Sequence, residues 1–300
     1  PNDVSALCES VKKDIVPYYL EHIDEIEEAE ATLSYSELDV SSARIKDMME
    51  YGAKRISSEV VDAYNALIDL NLNDIEPSMT KNNMGFTTYI TNYKEPFIFN
   101  SPYENYLDYT TMFHEFGHFV SSYYNPEDSV WGYCDYDLAE LQSQGMEVIF
   151  TLFYDEVFGE YAIEAKQCTI GNLMRSVIEG CIYDEFQRRV FEEKSLTTER
   201  VCEIFYETAE NYGYEDMLYY GEYDWMLISH NFESAFYYVS YAVSALSALE
   251  IAALIPNGEK EAAETYIKAL SLPIGEYSFT DALEEIGLDD IFDENIDNSF

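Results

Sequence analysis

Positive charge is scarce in this sequence of 300 residues. Lys and Arg together number 16, against 59 Asp and Glu, so the formal net charge is −43. Proteins bind nucleic acids chiefly through Lys and Arg on phosphates, and anionic membrane surfaces attract the same side chains. We therefore expect neither nucleic acid nor a membrane among the partners. The acid excess is typical of a solvated surface, of salt adaptation, or of a groove that attracts cationic ligands.

Long apolar runs and cysteine pairs are also missing. The longest uncharged run, Ser234 to Leu249, is shorter than the roughly 20 apolar residues of a membrane span and is interrupted by Ser and Tyr. The five cysteines are odd in number, widely separated and without a CxxC motif. This pattern indicates buried, reduced thiols rather than a disulfide framework or a cysteine-bound zinc. We expect a buried helix in the uncharged run and a cytoplasmic location.

The hydrophobic residues follow a helical period along most of the chain. Apolar positions recur every three or four residues over about 4–30 and 38–70, and helices resume at about 108. The stretch "NDIEPSMTKNNMG" is rich in turn formers, and the runs "GFTTYIT" and "EPFIFN" after it predict a small hairpin. Without repeats or a low-complexity linker, the chain is expected to form one mainly α domain over 1–300 with a small antiparallel β element. Further breaks are expected at 125–135, 213–222 and 256–258.

Histidine is scarcer still, with four in the chain, and two of these stand in the segment "TMFHEFGHF". On a helix that Asp108 can cap, His114 and His118 lie at i and i+4 and project from the same side. Two imidazoles in this arrangement can bind one Zn²⁺, and Glu115 is offset so that it can act on a water beside the metal. This HExxH pattern predicts a zinc site with one ion per chain.

A catalytic zinc site needs a third protein ligand and one open position. The longer motif HExxHxxGxxH is excluded, because Ser121 and Tyr124 stand where it requires Gly and His. No further histidine occurs before His230, so a carboxylate must serve. A ligand on a rigid crossing helix is held better than one on a loop, and Gly117 would let such a helix approach closely. The candidates are Glu127, Asp128, Asp135, Asp137, Glu140 and Glu147.

The segment "HEFGH", followed by "ELQSQGME", resembles the oligoendopeptidase F and thimet oligopeptidase family of zinc metallopeptidases. The likeness extends from about residue 40 to 290 and includes the strands before the metal helix and "YSFTDALEEIGLD" near the end. It implies a zincin-type catalytic domain in which His114, His118 and Glu140 bind zinc and Glu115 is the general base. Glu147 is then expected to be a hydrogen-bond acceptor beside the ligands or a surface acid.

The fourth histidine opens the segment "HNFESAFYYVSYAVSA". If one helix includes His230, then Tyr237 and Tyr241 lie on its face at i+7 and i+11. The resemblance implies that His230 and Tyr241 donate hydrogen bonds to the oxyanion, with Tyr237 or Tyr238 beside them as substrate contacts. The alternative is core packing, because with 28 tyrosines in the chain such a pair is ordinary.

Together these features predict zinc-dependent hydrolysis of short peptides, with basic peptides favoured if the acidic surface reaches the groove. The run "FTTYI" is the expected edge strand, where Thr88 and Tyr89 could contact an extended peptide unless the hairpin is purely structural. Full-length members of the family carry an N-terminal helical part that roofs the substrate channel. Those members are about twice as long as this chain, so we expect that part to be missing here. The start at Pro1 rather than at Met is expected for a fragment or a processed form. The alternatives are a zinc-containing module that binds peptides without cleaving them and a scaffold whose histidine pair binds no metal.

Overall fold

The computed structural model describes residues 2–82, 84–126 and 135–292. Residues 2–70 are mainly helical, as expected, but each of the two segments expected to be helical, 4–30 and 38–70, is divided into shorter helices. The backbone leaves the helical region at His22 (φ −107°, ψ 5°) and at Ser57 (φ −163°), where the Ser57 hydroxyl accepts a hydrogen bond from the N–H of Val60 and so begins a new helix. The helices are α1 (Asn2–Ser10), which continues through a π-helical turn (Val11–Ile15), α2 (Val16–Glu21), α3 (Ile23–Ser34), α4 (Ser42–Ile56) and α5 (Ser58–Asp69).

A three-stranded sheet follows, with strands β1 (Asn73–Asp74), β2 (Gly85–Ile90) and β3 (Glu95–Asn100) in the order β1-β3-β2. The expected hairpin is confirmed: β2 and β3 are antiparallel, with Gly85 opposite Asn100. Strand β1, parallel to β3, was not predicted, because its two residues lie within the turn-rich stretch. Among the described residues β2 pairs only with β3, so it forms an edge of the sheet, as expected.

The sheet packs on α6 (Leu107–Tyr124), the helix that contains both histidines of the HExxH motif. Met112, Phe116 and Val120 are buried on one side of it, in agreement with the spacing in the sequence. The expectation that Asp108 caps this helix is wrong, since α6 begins before it. The Asp108 carboxylate instead accepts hydrogen bonds from the N–H groups of Tyr103 and Asn105, and so orders the loop before α6.

Helix α7 (Tyr136–Phe150) crosses α6 and is buried along almost its whole length. The later helices are α8 (Tyr154–Val157), α9 (Ala162–Glu192), α10 (Thr198–Asn211), α11 (His230–Glu233), α12 (Val239–Leu254), α13 (Glu259–Ser271) and α14 (Phe279–Ile286). Short 3₁₀ turns lie at Thr151–Phe153, Gly159–Tyr161, Glu215–Met217 and Gly221–Leu227. Helix α12 packs on both α7 and α9. The mainly α architecture with a small sheet is therefore as predicted.

The buried helix expected over 234–249 begins later than predicted. Residues 234–238 leave the helical path, and Phe236 adopts φ 63°, so α12 starts at Val239 and then continues beyond the uncharged run. No helix among the described residues has the length and apolarity needed to cross a membrane. Four cysteines are free and buried, whereas Cys134 lies outside the described residues.

Candidate metal and active site

The crossing of α6 and α7 brings the two histidines against a carboxylate. A Cβ atom added to Gly117 would lie 2.5 Å from the carbonyl oxygen of Gln142 and 2.7 Å from Cα of Ser143, so only glycine allows this close approach. At the crossing, Glu140 Oε2 lies 3.4 Å from His114 Nε2 and 3.6 Å from His118 Nε2. One ligand atom from each of these three residues lies within 4.8 Å of the others.

This donor set fits a divalent metal ion. Two imidazole nitrogens and one carboxylate oxygen, with a position left for water, form the ligand set of catalytic zinc. Burial alone would favour the neutral form of Glu140, but His118 and His114 outweigh it and hold the pKa of that carboxyl well below its usual value. Conversely, burial is outweighed at His114 by its hydrogen bonds to Glu140 and Glu147, which raise the pKa of the imidazole well above its usual value. The site therefore favours a positive charge between its ligands.

Glu147 contacts the other ring nitrogen of His114. Its Oε1 atom lies 2.7 Å from His114 Nδ1, so the ring is held between two carboxylates of α7 that are two helical turns apart. When Nδ1 donates a hydrogen to Glu147, the Nε2 lone pair faces Glu140 and His118 and is available to a metal.

Helix α7 is held in place by a buried amide next to Glu140. The side-chain amide of Gln142 donates to the carbonyl oxygens of Ala269 and Leu272 and accepts a hydrogen bond from the Ser121 hydroxyl of α6. The Tyr266 hydroxyl in turn donates to the Gln142 carbonyl oxygen. These contacts tie α7 to both α6 and α13, so that Glu140 projects from a rigid element.

Glu115 lies beside the histidines with its carboxylate turned to the sheet. It is 6% exposed, and the Thr87 hydroxyl lies 2.8 Å from its Oε2 atom and 2.9 Å from its backbone oxygen. Since residues of a strand alternate between its faces, Thr87 faces α6 whereas the exposed Thr88 faces away. The sequence predicts Thr88 and Tyr89 as substrate contacts and does not single out Thr87, because it does not show which face of β2 packs on α6.

The fourth histidine, His230, lies close to the tyrosines of the site. The expectation that one continuous helix connects His230 to these tyrosines is wrong. The chain leaves the helix after Glu233 and resumes at Val239, yet the ring of His230 lies 4.7 Å from that of Tyr237 and 5.8 Å from that of Tyr241, between centroids. The Tyr237 hydroxyl donates to Glu140 Oε1, and the Tyr241 hydroxyl donates to Tyr237 over 3.3 Å.

The protonation states in this cluster suit hydrogen-bond donation. Burial, with Glu140 nearby, raises the pKa of both Tyr237 and Tyr241, so both hydroxyls keep their protons. Burial also lowers the pKa of His230, although Glu140 and Glu233 oppose it. A neutral imidazole still carries one N–H donor. The ring of Tyr238 packs 4.8 Å from that of Tyr183 on α9 and also lies 5.8 Å from the ring of His230, between centroids.

The other carboxylates considered as metal ligands have different surroundings. Asp135 caps α7 by accepting from the N–H groups of Asp137 and Leu138. Burial raises the pKa of Asp137, against a hydrogen bond from Ser240 of α12. Neither belongs to the His114, His118 and Glu140 group, which is the one potential metal-binding cluster found within the described residues. Two further candidates, Glu127 and Asp128, lie outside those residues.

Comparison with known proteins agrees with this geometry. The sequence profile of peptidase family M3 matches residues 38–300. The chain belongs to that family. The resemblance to oligoendopeptidase F is thereby confirmed, and the helical, zincin-type catalytic fold is the fold of the family's solved structures.

Two curated relatives in this family are bacterial oligopeptidases. Oligopeptidase PepF of Bacillus subtilis (strain 168) is 25% identical over 270 residues, which cover 83% of this chain and 38% of that protein. Group B oligopeptidase PepB of Streptococcus agalactiae serotype III (strain NEM316) is 27% identical over 204 residues, or 63% of this chain and 33% of that protein. The chain thus matches less than two fifths of the length of either relative.

A solved structure, "PZ peptidase A with inhibitor 2", has the same fold. It matches with a TM-score of 0.85 at 21% sequence identity, over 98% of this chain and 56% of that one. The M3 chain described here therefore corresponds in fold to about half of that larger protein.

Proposed function

We propose that the chain is the catalytic part of a zinc-dependent peptidase that hydrolyses short peptides. The observation that carries the proposal is the convergence of His114 Nε2, His118 Nε2 and Glu140 Oε2, with Glu115 beside them and outside the ligand group. Two nitrogen ligands and one carboxylate favour zinc over magnesium or calcium, which prefer oxygen ligands alone. One ion per chain is proposed because the described residues contain one such set of ligands. Membership of peptidase family M3 supports the same chemistry.

In the reaction, Glu115 would act as the general base. A bound zinc ion supplies Lewis acidity, which polarises the scissile carbonyl and lowers the pKa of a water toward roughly 7. Glu115 takes a proton from the attacking water at Oε1, since Oε2 is engaged by Thr87, and hands it to the leaving amine. The fixed carboxylate needs little reorganisation between these two transfers.

His230 and Tyr241 are proposed to donate hydrogen bonds to the oxyanion. The Tyr237 hydroxyl donates its hydrogen to Glu140, and the Tyr241 hydroxyl donates to the oxygen of Tyr237. The Tyr241 hydroxyl can therefore turn toward a substrate while Glu140 keeps its hydrogen bond from Tyr237. Oxyanion donors of this kind contribute about 3–4 kcal/mol to transition-state stabilisation. Tyr237 and Tyr238 remain proposed substrate contacts. Tyr237 is favoured because its hydroxyl contacts Glu140, a proposed metal ligand.

The substrate backbone is proposed to pair with the edge strand β2. The N–H of Ile98 donates to Leu72 on the β1 side, so Ile98 and its register partner Thr87 do not bond to each other. The backbone groups of Thr87 therefore point outward from the sheet, next to Glu115, where an extended peptide could accept and donate hydrogen bonds. Thr88 remains a proposed side-chain contact on the opposite face. The large acid excess supports basic peptides as preferred substrates.

We also propose a cytoplasmic location and a further part of the protein that completes the substrate channel. The four described cysteines are free and buried, which is the arrangement expected for a cytoplasmic location. The matched relatives are more than twice as long as the part this chain covers, which supports the idea that a further part shapes the substrate channel.

The decisive experiment incubates the zinc-loaded protein with a mixed library of short peptides and identifies the cut positions by mass spectrometry. We expect cleavage that a chelator abolishes and that added zinc restores. The matched control is Glu115→Gln, which keeps the size of the side chain and should retain about one zinc per chain while turnover falls below a few per cent. Peptide binding without cleavage by the wild-type protein would contradict the proposal and indicate a silent binding module.

A further inference from the structure

A buried amide with no partner lies next to the proposed general base. Asn100, the last residue of β3, is 1% exposed, and neither its Oδ1 nor its Nδ2 atom has a hydrogen-bond partner in the described structure. A buried polar group without a partner costs about 1–3 kcal/mol of stability. The backbone oxygen of Asn100 already serves a structural role, because it accepts a hydrogen bond from Lys81. The side-chain amide needs a separate explanation.

Gly85 leaves open the space through which this amide faces Glu115. The two residues are opposite each other in the register of β2 and β3, so both face α6, as Thr87 does. From the position of a Cβ atom added to Gly85, Asn100 Oδ1 lies 3.2 Å away, Glu115 Oε1 3.7 Å away, and the Thr111 methyl group 2.8 Å away. The amide and the carboxylate therefore border one small space.

The backbone at Gly85 does not itself require glycine. The described glycines with positive φ are Gly159, Gly213, Gly221, Gly275 and Gly287, and Gly85 is absent from that group. The reason for glycine at this position is thus the space it leaves, because any side chain would enter the space that Asn100 and Glu115 border and would press on Thr111. Two separate observations, an unpartnered amide and a missing side chain, concern the same space beside Glu115.

We propose that Asn100 is a positioning residue for Glu115. A half-turn of the amide exchanges its oxygen and nitrogen, so that Nδ2 can donate a hydrogen bond to Glu115 Oε1 directly or through one buried water. Thr87 holds Oε2 from the neighbouring strand, and together the two donors fix the plane of the carboxylate. Each carboxylate oxygen keeps a further lone pair, so Oε1 can still accept a proton from the attacking water.

This inference rests on the proposed peptidase activity, and its test compares Asn100→Leu with the wild-type enzyme. Leu has the same branching and number of side-chain heavy atoms, although it is bulkier, and it has no hydrogen-bond donor. We expect kcat to fall about 10-fold to 100-fold, the range found when groups that orient a ligand are removed. KM should change less than twofold and zinc content should stay at one per chain. The melting temperature should change little, because the hydrogen bond lost from Glu115 is offset by the replacement of a buried polar group with an apolar one.

Two further variants and one control make the test specific. Asn100→Ser retains a donor that can act through water and should recover part of the lost kcat. Gly85→Ala should reduce kcat in the same way, by separating the two groups. Asn125→Leu is the control, since Asn125 also has a buried unpartnered Nδ2 but lies beyond the end of α6, and its kcat should equal that of the wild type.

The outcomes separate the two proposals. If the wild-type enzyme cleaves peptides and Asn100→Leu does so with an unchanged kcat, the positioning role is overturned while the peptidase activity stands. A lower melting temperature for Asn100→Leu with unchanged kcat per folded, zinc-loaded molecule would assign Asn100 to the fold alone. If Asn100→Leu does not fold, an unchanged kcat in Asn100→Ser and Gly85→Ala overturns the role. A wild-type protein without peptidase activity would contradict both proposals.

Discussion

The Nδ1 atom of His114 lies 2.7 Å from the Oε1 atom of Glu147, while the opposite nitrogen of the same ring faces Glu140. Two carboxylates on one face of α7 thus have different relations to the histidine pair. Glu140 can reach a metal together with both histidines, whereas Glu147 can orient one of them.

This difference predicts opposite results for two alanine variants. Glu140→Ala should lose zinc and activity together, because it removes one of three proposed ligands. Glu147→Ala should keep zinc under saturating conditions, with an affinity or rate about 10-fold to 100-fold lower, because only the orientation of His114 is lost. Metal analysis after dialysis and peptide cleavage assays measure both effects. Zinc lost from the Glu147 variant alone would reverse the assignment.

The cluster around His230 predicts an effect on kcat. His230→Ala and Tyr241→Phe should each lower kcat about a hundredfold, with a much smaller change in KM, because oxyanion contacts form fully only in the transition state. Steady-state kinetics on one peptide measure the two parameters. Tyr206→Phe is the control, an exposed tyrosine on α10. A wild-type kcat in either variant would assign that residue to core packing.

The close approach of α6 and α7 predicts that Gly117→Ala is destabilising. The new methyl group would meet the α7 backbone at 2.5 Å, and overpacking of this kind costs about 1–3 kcal/mol. Urea denaturation should show that loss, and zinc affinity should fall because Glu140 moves with α7. Gly258→Ala is a control for the clash alone: its nearest contact would be an ordinary 3.9 Å, and as the N-cap of α13 it should lose only the capping preference for Gly over Ala. Equal stability of the two variants would contradict the close approach.

Glu250 predicts a dependence of stability on pH. Burial raises the pKa of its carboxyl from 4.5 to about 7, and the charge of Asp289 adds to this although the Asp289 backbone N–H opposes it. The folded state therefore favours the protonated form of Glu250. The resulting contribution to the free energy of unfolding is complete below pH 4.5 and is lost as the pH rises through about 7. Glu250→Gln, neutral at every pH, should become more stable than the wild type by an amount on the order of 2 kcal/mol at pH 8.

Denaturation curves at pH 5 and pH 8 measure this difference. The stability of Glu250→Gln relative to the wild type should increase between the two values. A difference for Glu250→Gln that does not depend on pH would show that the folded carboxyl titrates normally.

The acid excess predicts that salt affects basic substrates most. If the excess extends to the groove, cleavage of an Arg-containing peptide should weaken relative to a neutral peptide of equal length as salt rises to about 0.5 M, because screening shortens the range of the attraction. The ratio of the two kcat/KM values over a salt series is the measurement. Parallel curves would place the excess on the solvated surface.

Local patterns in the sequence were sufficient to predict the helical architecture, the hairpin and the position of the histidine pair. The spacing of His114 and His118 places both on one side of a helix because α-helical geometry depends on neighbouring residues alone. The hairpin of β2 and β3 and the mainly helical architecture follow from short-range periodicities in the same way. The family resemblance in "HEFGH" and "ELQSQGME" selected Glu140 as the expected third ligand among several carboxylates.

The tertiary structure decided which side chains meet. The crossing of α6 and α7 brings Glu140 to both histidines, and the packing of one face of β2 on α6 brings Thr87, rather than Thr88, to Glu115. The break at 234–238 turns Tyr237 toward Glu140 although no single helix connects it to His230. These contacts join segments that are far apart in the chain. A shift of one residue in a strand would turn its side chains to the opposite face, so the sequence of one segment does not determine them. Periodicity within a segment is local, whereas the face that packs inward is determined by its partner.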